Sequence, residues 1–387
     1  MSITACSEPI ENQLPPISIV GRDKDANTAD RMAVRAAEYL WARQQEDGSW
    51  RSETYGLLRS GQSLTPFVLY TLMDSHVPTS ERGVDRALEF IRSRVSNRGV
   101  LGEFDSDILE YPNYATAYAI MCLKRASREQ DRALIRKMEN YLISQQFCES
   151  NGFDKSSAAY GGWGFGGQHS DGETGHMDLV HTCRVLQALS MEPINEKALR
   201  EVQTRAQHFL KMVQKHPEDE RPQPMPAEVT IAADSKLGYD GGFYFSPVVL
   251  RANKGRLQND GNPFWKSYAT ATCDGLMALL ASGVPLDDPR TQDAIHWLDR
   301  HNVLEFPEGI PELYEGENWR EAVRFYHLSV RADVARLLGQ DETRNQIAKI
   351  LANDRNSDGG FANQMSALMK EDDPILCTAL ALRALSK

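Results

Sequence analysis

Three groups of acidic residues in this chain have types and spacings suited to proton chemistry. Asp178 stands three residues before His181, Asp105 and Asp107 flank a single serine, and Asp372 and Asp373 immediately precede Pro374. A carboxyl group kept from water holds its proton and can act as a general acid. Acids at such places also cap helices, where the first backbone N–H groups and the helix dipole favour a negative side chain. Aromatic residues fall in the same zones: Tyr114, Tyr118, Trp163, Phe165, Phe243, Trp265, Tyr268 and Tyr326, with His327 beside the last. Ring faces stabilise a cation by about 0.5–2 kcal/mol each, and the same rings can simply wall an apolar pocket. Aromatics are 8% of the chain, an ordinary share, so only their placement can separate the two roles.

A repeat places them. Five times a Thr is followed by a small or ring residue at n+1, an apolar residue at n+4 and Leu at n+7. The copies begin at Thr65, Thr116, Thr182, Thr272 and Thr378, and a fainter sixth runs through Val330, Val334 and Leu337. Offsets of four and seven share one helical face. Each copy follows a turn rich in Gly that ends on an aromatic: Asp47–Trp50, Gly102–Phe104, Gly161–Trp163, Gly241–Phe243 and Gly359–Phe361, with a looser version at Glu305–Gly309. Before each turn lies a more charged helical stretch: Ala29–Gln45, Val84–Ser96, Leu134–Gln146, Ala198–Val213, Thr291–His301 and Asp341–Leu351. Six half-exposed helices thus alternate with six apolar ones. Such hairpins can stack as a linear solenoid, which needs capping repeats at its ends, or close into a ring. The acids and aromatics sit at the starts of the inner helices, which should converge on one cavity mouth. Residues 1–28 read as an irregular segment and 29–387 as one domain. Its longest connection lies near 215–265, either a lid or a passive loop.

Composition narrows the function classes. The chain has 387 residues, 41% apolar and 25% charged, consistent with a sizeable core. A net charge of −11 argues against a nucleic-acid partner, because phosphate binding needs clustered Lys and Arg. No apolar run approaches the roughly 20 residues of a spanning helix, and the first residues lack a secretory pattern. Six scattered cysteines with no CxxC pair suggest reduced thiols in a cytoplasmic protein.

The stretch Gln44-Gln45-Glu46-Asp47-Gly48-Ser49-Trp50 resembles the Q-x-x-x-G-x-W repeat of squalene–hopene cyclases. Gln145 and Gln146 ahead of Gly162-Trp163 look like a degenerate copy. The resemblance runs from about Ala29 to the end and is strongest to prenyltransferase/squalene-oxidase repeat proteins. It implies an all-α fold, an α/α toroid of six helical hairpins, in which Gln45 and Trp50 tie outer helices together.

For activity, the resemblance implies an apolar isoprenoid ligand in a central cavity and acid-initiated cyclization or isomerization without a cofactor. Squalene–hopene cyclases protonate an alkene with the middle Asp of D-x-D-D-T-A. The five tetrads here, beginning at Gly61, Pro112, Asp178, Tyr268 and Pro374, carry no Asp there. Only Asp178 matches the first Asp. A non-standard acid among Asp178 with His181, Asp105, Asp107, Asp372 and Asp373 is therefore expected. The stretch Asp178–Ser190 also looks like the zinc-histidine segment of protein prenyltransferases, with His181 as the matching ligand, but their Asp–Cys partner motif is missing. A non-catalytic toroid binding a lipid or peptide is a third alternative. A peripheral membrane contact is left open by the sequence.

Overall fold

The computed structural model describes residues 28–103, 108–167, 172–219, 221–227, 238–255, 265–313 and 316–387. Its regular structure is almost wholly helical: α1 (Thr28–Trp41), α2 (Leu64–Asp74), α3 (Glu81–Arg94), α4 (Pro112–Ala126), α5 (Arg132–Ser144), α6 (Leu179–Ser190), α7 (Glu196–Val213), α8 (Ala269–Ala281), α9 (Pro289–Arg300), the single-turn α10 (Trp319–Ala322), α11 (Arg324–Leu337), α12 (Asp341–Ala352) and α13 (Pro374–Leu385). Helices α2, α4, α6, α8, α11 and α13 form an inner ring, each packed on the next, and α13 packs back on α2. Helices α1, α3, α5, α7, α9 and α12 surround them, and α1 meets both α12 and α13. The α/α toroid is therefore closed. The inner helices are buried on nearly every face, as in α4 and α8, whereas outer helices such as α3 and α7 bury one stripe.

The repeated turns explain how the ring holds its shape. In five units the turn Gly has φ between +84° and +93°: Gly48, Gly99, Gly161, Gly241 and Gly359. L side chains avoid that region. A Cβ there would also meet a backbone carbonyl of the next outer helix: at 2.3 Å for Gly48 on Arg86, 2.5 Å for Gly99 on Lys137, 1.9 Å for Gly161 on Arg205, 2.7 Å for Gly241 on Asp293 and 2.8 Å for Gly359 on Arg35 of α1. The last contact closes the outer layer. The second unit thus turns at Gly99–Leu101 rather than at Gly102–Phe104, and Phe104 lies outside the described residues. Gly309 packs instead on Ser267 and Tyr268 at the start of α8.

The repeated Thr is the second fastener. Thr65, Thr116, Thr182, Thr272 and Thr378 accept the backbone N–H of Trp50, Leu101, Trp163, Phe243 and Phe361 at 2.8–3.1 Å. A buried N–H without such a partner costs about 1–3 kcal/mol. The third fastener is a Gln on the turn. Gln44 donates to Gly48 O and to Gly83 O of α3, Gln146 to Gly161 O and Val202 O of α7, and Gln214 to Gly241 O and Arg290 O of α9. Arg86, Arg205 and Arg290 return a bond to each Gln carbonyl. The expected glutamine was Gln45; its neighbour Gln44 makes the bonds. Trp50 and Trp163 donate Nε1 to Leu40 O and Leu142 O at the ends of α1 and α5, at 2.6 and 2.7 Å.

Between α7 and α8 the chain is irregular among the described residues. Trp265, fully buried, donates its backbone N–H to Gln223 and its indole N–H to Pro224 O, so the two halves of this connection hold each other.

Candidate functional site

The starts of the inner helices are stitched together by groups from the following unit. Glu110, just before α4, accepts from Ser60 N, Gln62 N and Ser63 N at the start of α2. Glu371, just before α13, accepts from Phe325 N and Tyr326 N of α11 at 2.9 and 2.8 Å. Carbonyls serve the others: Phe165 O takes Asn113 N of α4, Phe245 O takes Leu179 N of α6, and Glu308 O takes Ala269 N of α8. Acids here neutralise helix N-termini. Burial pushes Glu371 up to about 7, against the backbone and Asn363 donors that favour its charge. Asp373 belongs to the same layer. It caps α13 through Ile375 N and Leu376 N, and Asp372 accepts a bond from Tyr55. Asp105 and Asp107 lie outside the described residues.

Asp178 and His181 come together in this layer. A short antiparallel strand pair sets Trp163 opposite Asp178. The carboxylate caps α6 through His181 N at 2.9 Å and holds His181 Nδ1 at 2.8 Å. His181 Nε2 is buried without a protein partner. Around the imidazole stand Phe165 at 4.8 Å, Tyr114 at 6.0 Å and Tyr111 at 6.3 Å between ring centres. His176 stacks on Phe165 at 4.2 Å, and burial lowers its proton affinity. Lys254 lies over Phe245 and Trp319, pushed down to about 8 by burial, which Asp178 opposes. Among the described residues no three His, Cys, Asp or Glu side chains gather to hold a metal ion.

One helical turn further along α6 the ring's axis carries charge. Arg184 Nη2 donates to Asp274 Oδ1 of α8 at 2.8 Å and to the Tyr326 hydroxyl of α11 at 3.2 Å. Tyr326 donates to Asp274 Oδ2 at 2.7 Å. Arg383 of α13 bonds the Tyr118 hydroxyl of α4 at 2.6 Å and pairs with Asp333 of α11. Asp274 is fully buried, and desolvation pushes it up to about 6 despite the opposing Arg184 and Tyr326.

Beyond this layer opens a cavity of about 560 Å³ to which all six inner helices contribute. Its walls include Tyr70, Tyr118, Met121, Met191, Met277, Leu280 and Leu337, with Asp333, Arg336 and Arg383 among them. Its volume is typical of small-molecule pockets, about 300–1,000 Å³. It opens at the C-terminal ends of the inner helices, not at the starts, where the stitches above lie. Gln187 lines its floor and accepts from Arg184 at 2.8 Å, which places Asp274 one hydrogen-bond layer below.

The sequence-predicted aromatics divide accordingly. Tyr118 lines the cavity, Tyr326 holds Asp274, and Tyr114 faces His181. Trp163, Phe243 and Trp265 are fully buried in turns and connections. Tyr268 is buried at the start of α8, where its N–H reaches Phe243 O. His327, one residue from Tyr326 and so turned about 100° around the helix, is wholly buried, and burial with Arg331 pushes it down to about 3. Arg184, Asp274 and Arg383 escaped the sequence reading. Each is the lone Asp, Glu, Lys or Arg of its inner helix, and that was the available signal.

No family model and no curated protein matches the chain. Solved structures do. The type II terpene cyclase MstE from Scytonema is 13% identical, with 93% of this chain and 98% of that chain covered and a TM-score of 0.52. An MstE variant in complex with its substrate geranylgeranyl dihydroxybenzoate gives 14%, 93%, 97% and 0.53. An alpha-amylase from Clostridium perfringens gives 10%, 95%, 100% and 0.54. At these identities the likeness is one of fold, and the fold is terpene cyclase-like. No helix among the described residues is long and apolar enough to cross a membrane.

Proposed function

We propose that the protein is a terpene cyclase-like enzyme acting on an isoprenoid in the central cavity, with Asp274 as its acid. The observation that carries this reading is a fully buried carboxyl, pushed up to about 6, under a cavity walled by Tyr, Met and Leu. With the Gln187 side chain turned off the floor, protonated Asp274 gives its proton to a terminal alkene carbon, leaving a tertiary cation on the neighbouring carbon. The next double bond of the same chain attacks that cation and forms a carbon–carbon bond. Loss of a proton from the cyclised cation restores an alkene, so product and substrate have equal mass. Asp274 is preferred here to Asp178, Asp372 and Asp373, which lie at the starts of the inner helices, at the end opposite the cavity. Likeness to MstE, whose substrate carries a geranylgeranyl chain, supports the ligand class. The Gln, Gly and Trp fasteners support kinship with squalene–hopene-type repeats.

The test is incubation with geranylgeranyl-bearing benzoates and free polyprenols, read by mass spectrometry. An isomer of unchanged mass and altered retention is expected, lost about 100-fold or more in Asp274→Asn. If wild-type protein leaves every substrate unchanged, or the Asn variant keeps its rate, the reading fails. A second reading, a non-catalytic binding toroid, is favoured by the paired charges Arg184–Asp274 and Arg383–Asp333 on the axis. It predicts saturable isoprenoid binding with no conversion.

A further inference from the structure

The floor of the cavity is built in two rungs between α6 and α8. The lower rung is the Arg184–Asp274 pair at 2.8 Å. The upper rung stands one helical turn above it on the same two helices, since residues three apart share a face. There Gln187 Nε2 reaches Met277 Sδ at 3.8 Å. Gln187 is also tied downward, its Oε1 accepting from Arg184 Nη1 at 2.8 Å. Across the floor, Tyr118 of α4 and Arg383 of α13 close a second seam at 2.6 Å, and Arg383 pairs further with Asp333. The two seams differ in strength. A guanidinium on a hydroxyl makes a short, charge-assisted bond, whereas a thioether is a weak acceptor. The floor is therefore weakest between Gln187 and Met277, and the Asp274 carboxyl lies beneath that seam.

We propose that Gln187 and Met277 form a latch that keeps the water of the cavity from Asp274 and that opens when an apolar chain seats on Met277. Hydrocarbon packed on the sulfur takes the place of the amide N–H, and the bond from Arg184 to Oε1 serves as the pivot. The chain has by then replaced the water above the floor. When the seam parts, the carboxyl meets an alkene carbon instead of solvent, and the cation it makes is not quenched. The latch rests on the reading of Asp274 as the acid and adds how that acid is kept dry. Asp274 is faced by Arg184 of α6, by Tyr326 and Asp333 of α11, by Arg383 of α13 and, from its own stretch of chain, by Tyr268 and Cys273. The substitutions below alter none of them.

The Asp274 carboxyl is titrated by isotope-edited infrared spectroscopy on the full-length protein, its band assigned by its loss in Asp274→Asn. In the wild type the midpoint lies at about 6. Gln187→Ala and Met277→Ala admit water and lower the midpoint by about one pH unit, a tenfold change in proton affinity. Gln187→Met and Met277→Leu keep the seam filled and leave the midpoint in place. Gln187→Met loses the bond to Arg184 but keeps the bulk. A midpoint that moves as far in it as in Gln187→Ala makes Gln187 only a partner of Arg184 and overturns the latch, as does an unmoved midpoint in either Ala variant. Cooperative melting is checked first, and Gln187→Ser or Met277→Val replaces an Ala variant that does not fold. Opening is read in the side-chain amide proton signals of Gln187, assigned by their absence in Gln187→Met, which shift when geranylgeraniol is added. Unshifted signals overturn the opening step. The titration needs no turnover, so failure of the cyclase reading shows separately, as moved midpoints in a protein that forms no isomer.

Discussion

Asp274 sits where burial and two donors act against each other, and its protonation should govern the protein twice. As a general acid it works only while protonated, so turnover should fall as pH rises through about 6. Replacing Tyr326 by Phe removes a donor to the charged form, so the same limb should move to higher pH; an unmoved limb would take Tyr326 out of the mechanism. Glu371 gives a cleaner stability test. Its folded value of about 7 stands above its ordinary 4.5, so its favourable contribution is present below pH 4.5 and lost as pH rises through about 7. Glu371→Gln should lower Tm most at pH 4.5 and flatten the Tm profile between about 4.5 and 7, read by calorimetry. Little of this was legible from the acids that drew notice first. Asp373 and Asp178 looked like candidate acids because they stand before inner helices, which is also where caps stand. Asp274 had no motif around it, only its isolation among apolar neighbours.

At the scale of the helical hairpin, the Thr of the repeat was visible but its task was not. Its partners lie 15, 15, 19, 29 and 17 residues away. An irregular separation hides a hydrogen bond from any search for fixed spacing, whereas the apolar residues at n+4 and n+7 declare themselves within two turns. Thr182→Val keeps the shape and strands the Trp163 N–H, at a cost of about 1–3 kcal/mol in denaturant unfolding. Gly161→Ala should cost more, about 2–5 kcal/mol, from the left-handed backbone together with displacement of the Arg205 carbonyl. A Gly152→Ala control has φ +86° and only a 3.7 Å neighbour, so it should show the backbone part alone, about 1–2 kcal/mol.

For the whole molecule, six alternating helix pairs were legible because burial on nearly every face leaves inner helices such as α2, α4, α8 and α13 mostly apolar. Ring closure was not, since neither α13 on α2 nor Gly359 on α1 has a local signature. Nor was the end at which the cavity opens. That depends on stitches such as Glu110 to α2 and Glu371 to α11, each spanning tens of residues. Closure makes the first and last helices neighbours. A circular permutant joining residue 387 to residue 28 by a short Gly/Ser linker, reopened at Gly283, should therefore keep its helical circular dichroism and a cooperative melt. Loss of cooperativity would mean that the α1–α13 contact adds little to the fold.

The glycine wedges also bear on how such a chain can change over generations. In an open array, curvature is a free variable, and units can be gained or lost one at a time. Here each glycine sets how closely one hairpin leans on the next, and the last lean falls on the first helix. Duplicating one hairpin would force every wedge angle to shrink together, and deleting one would leave a gap with no local remedy. Variation is thus steered into the connections, such as the stretch between α7 and α8, while the number of hairpins is locked.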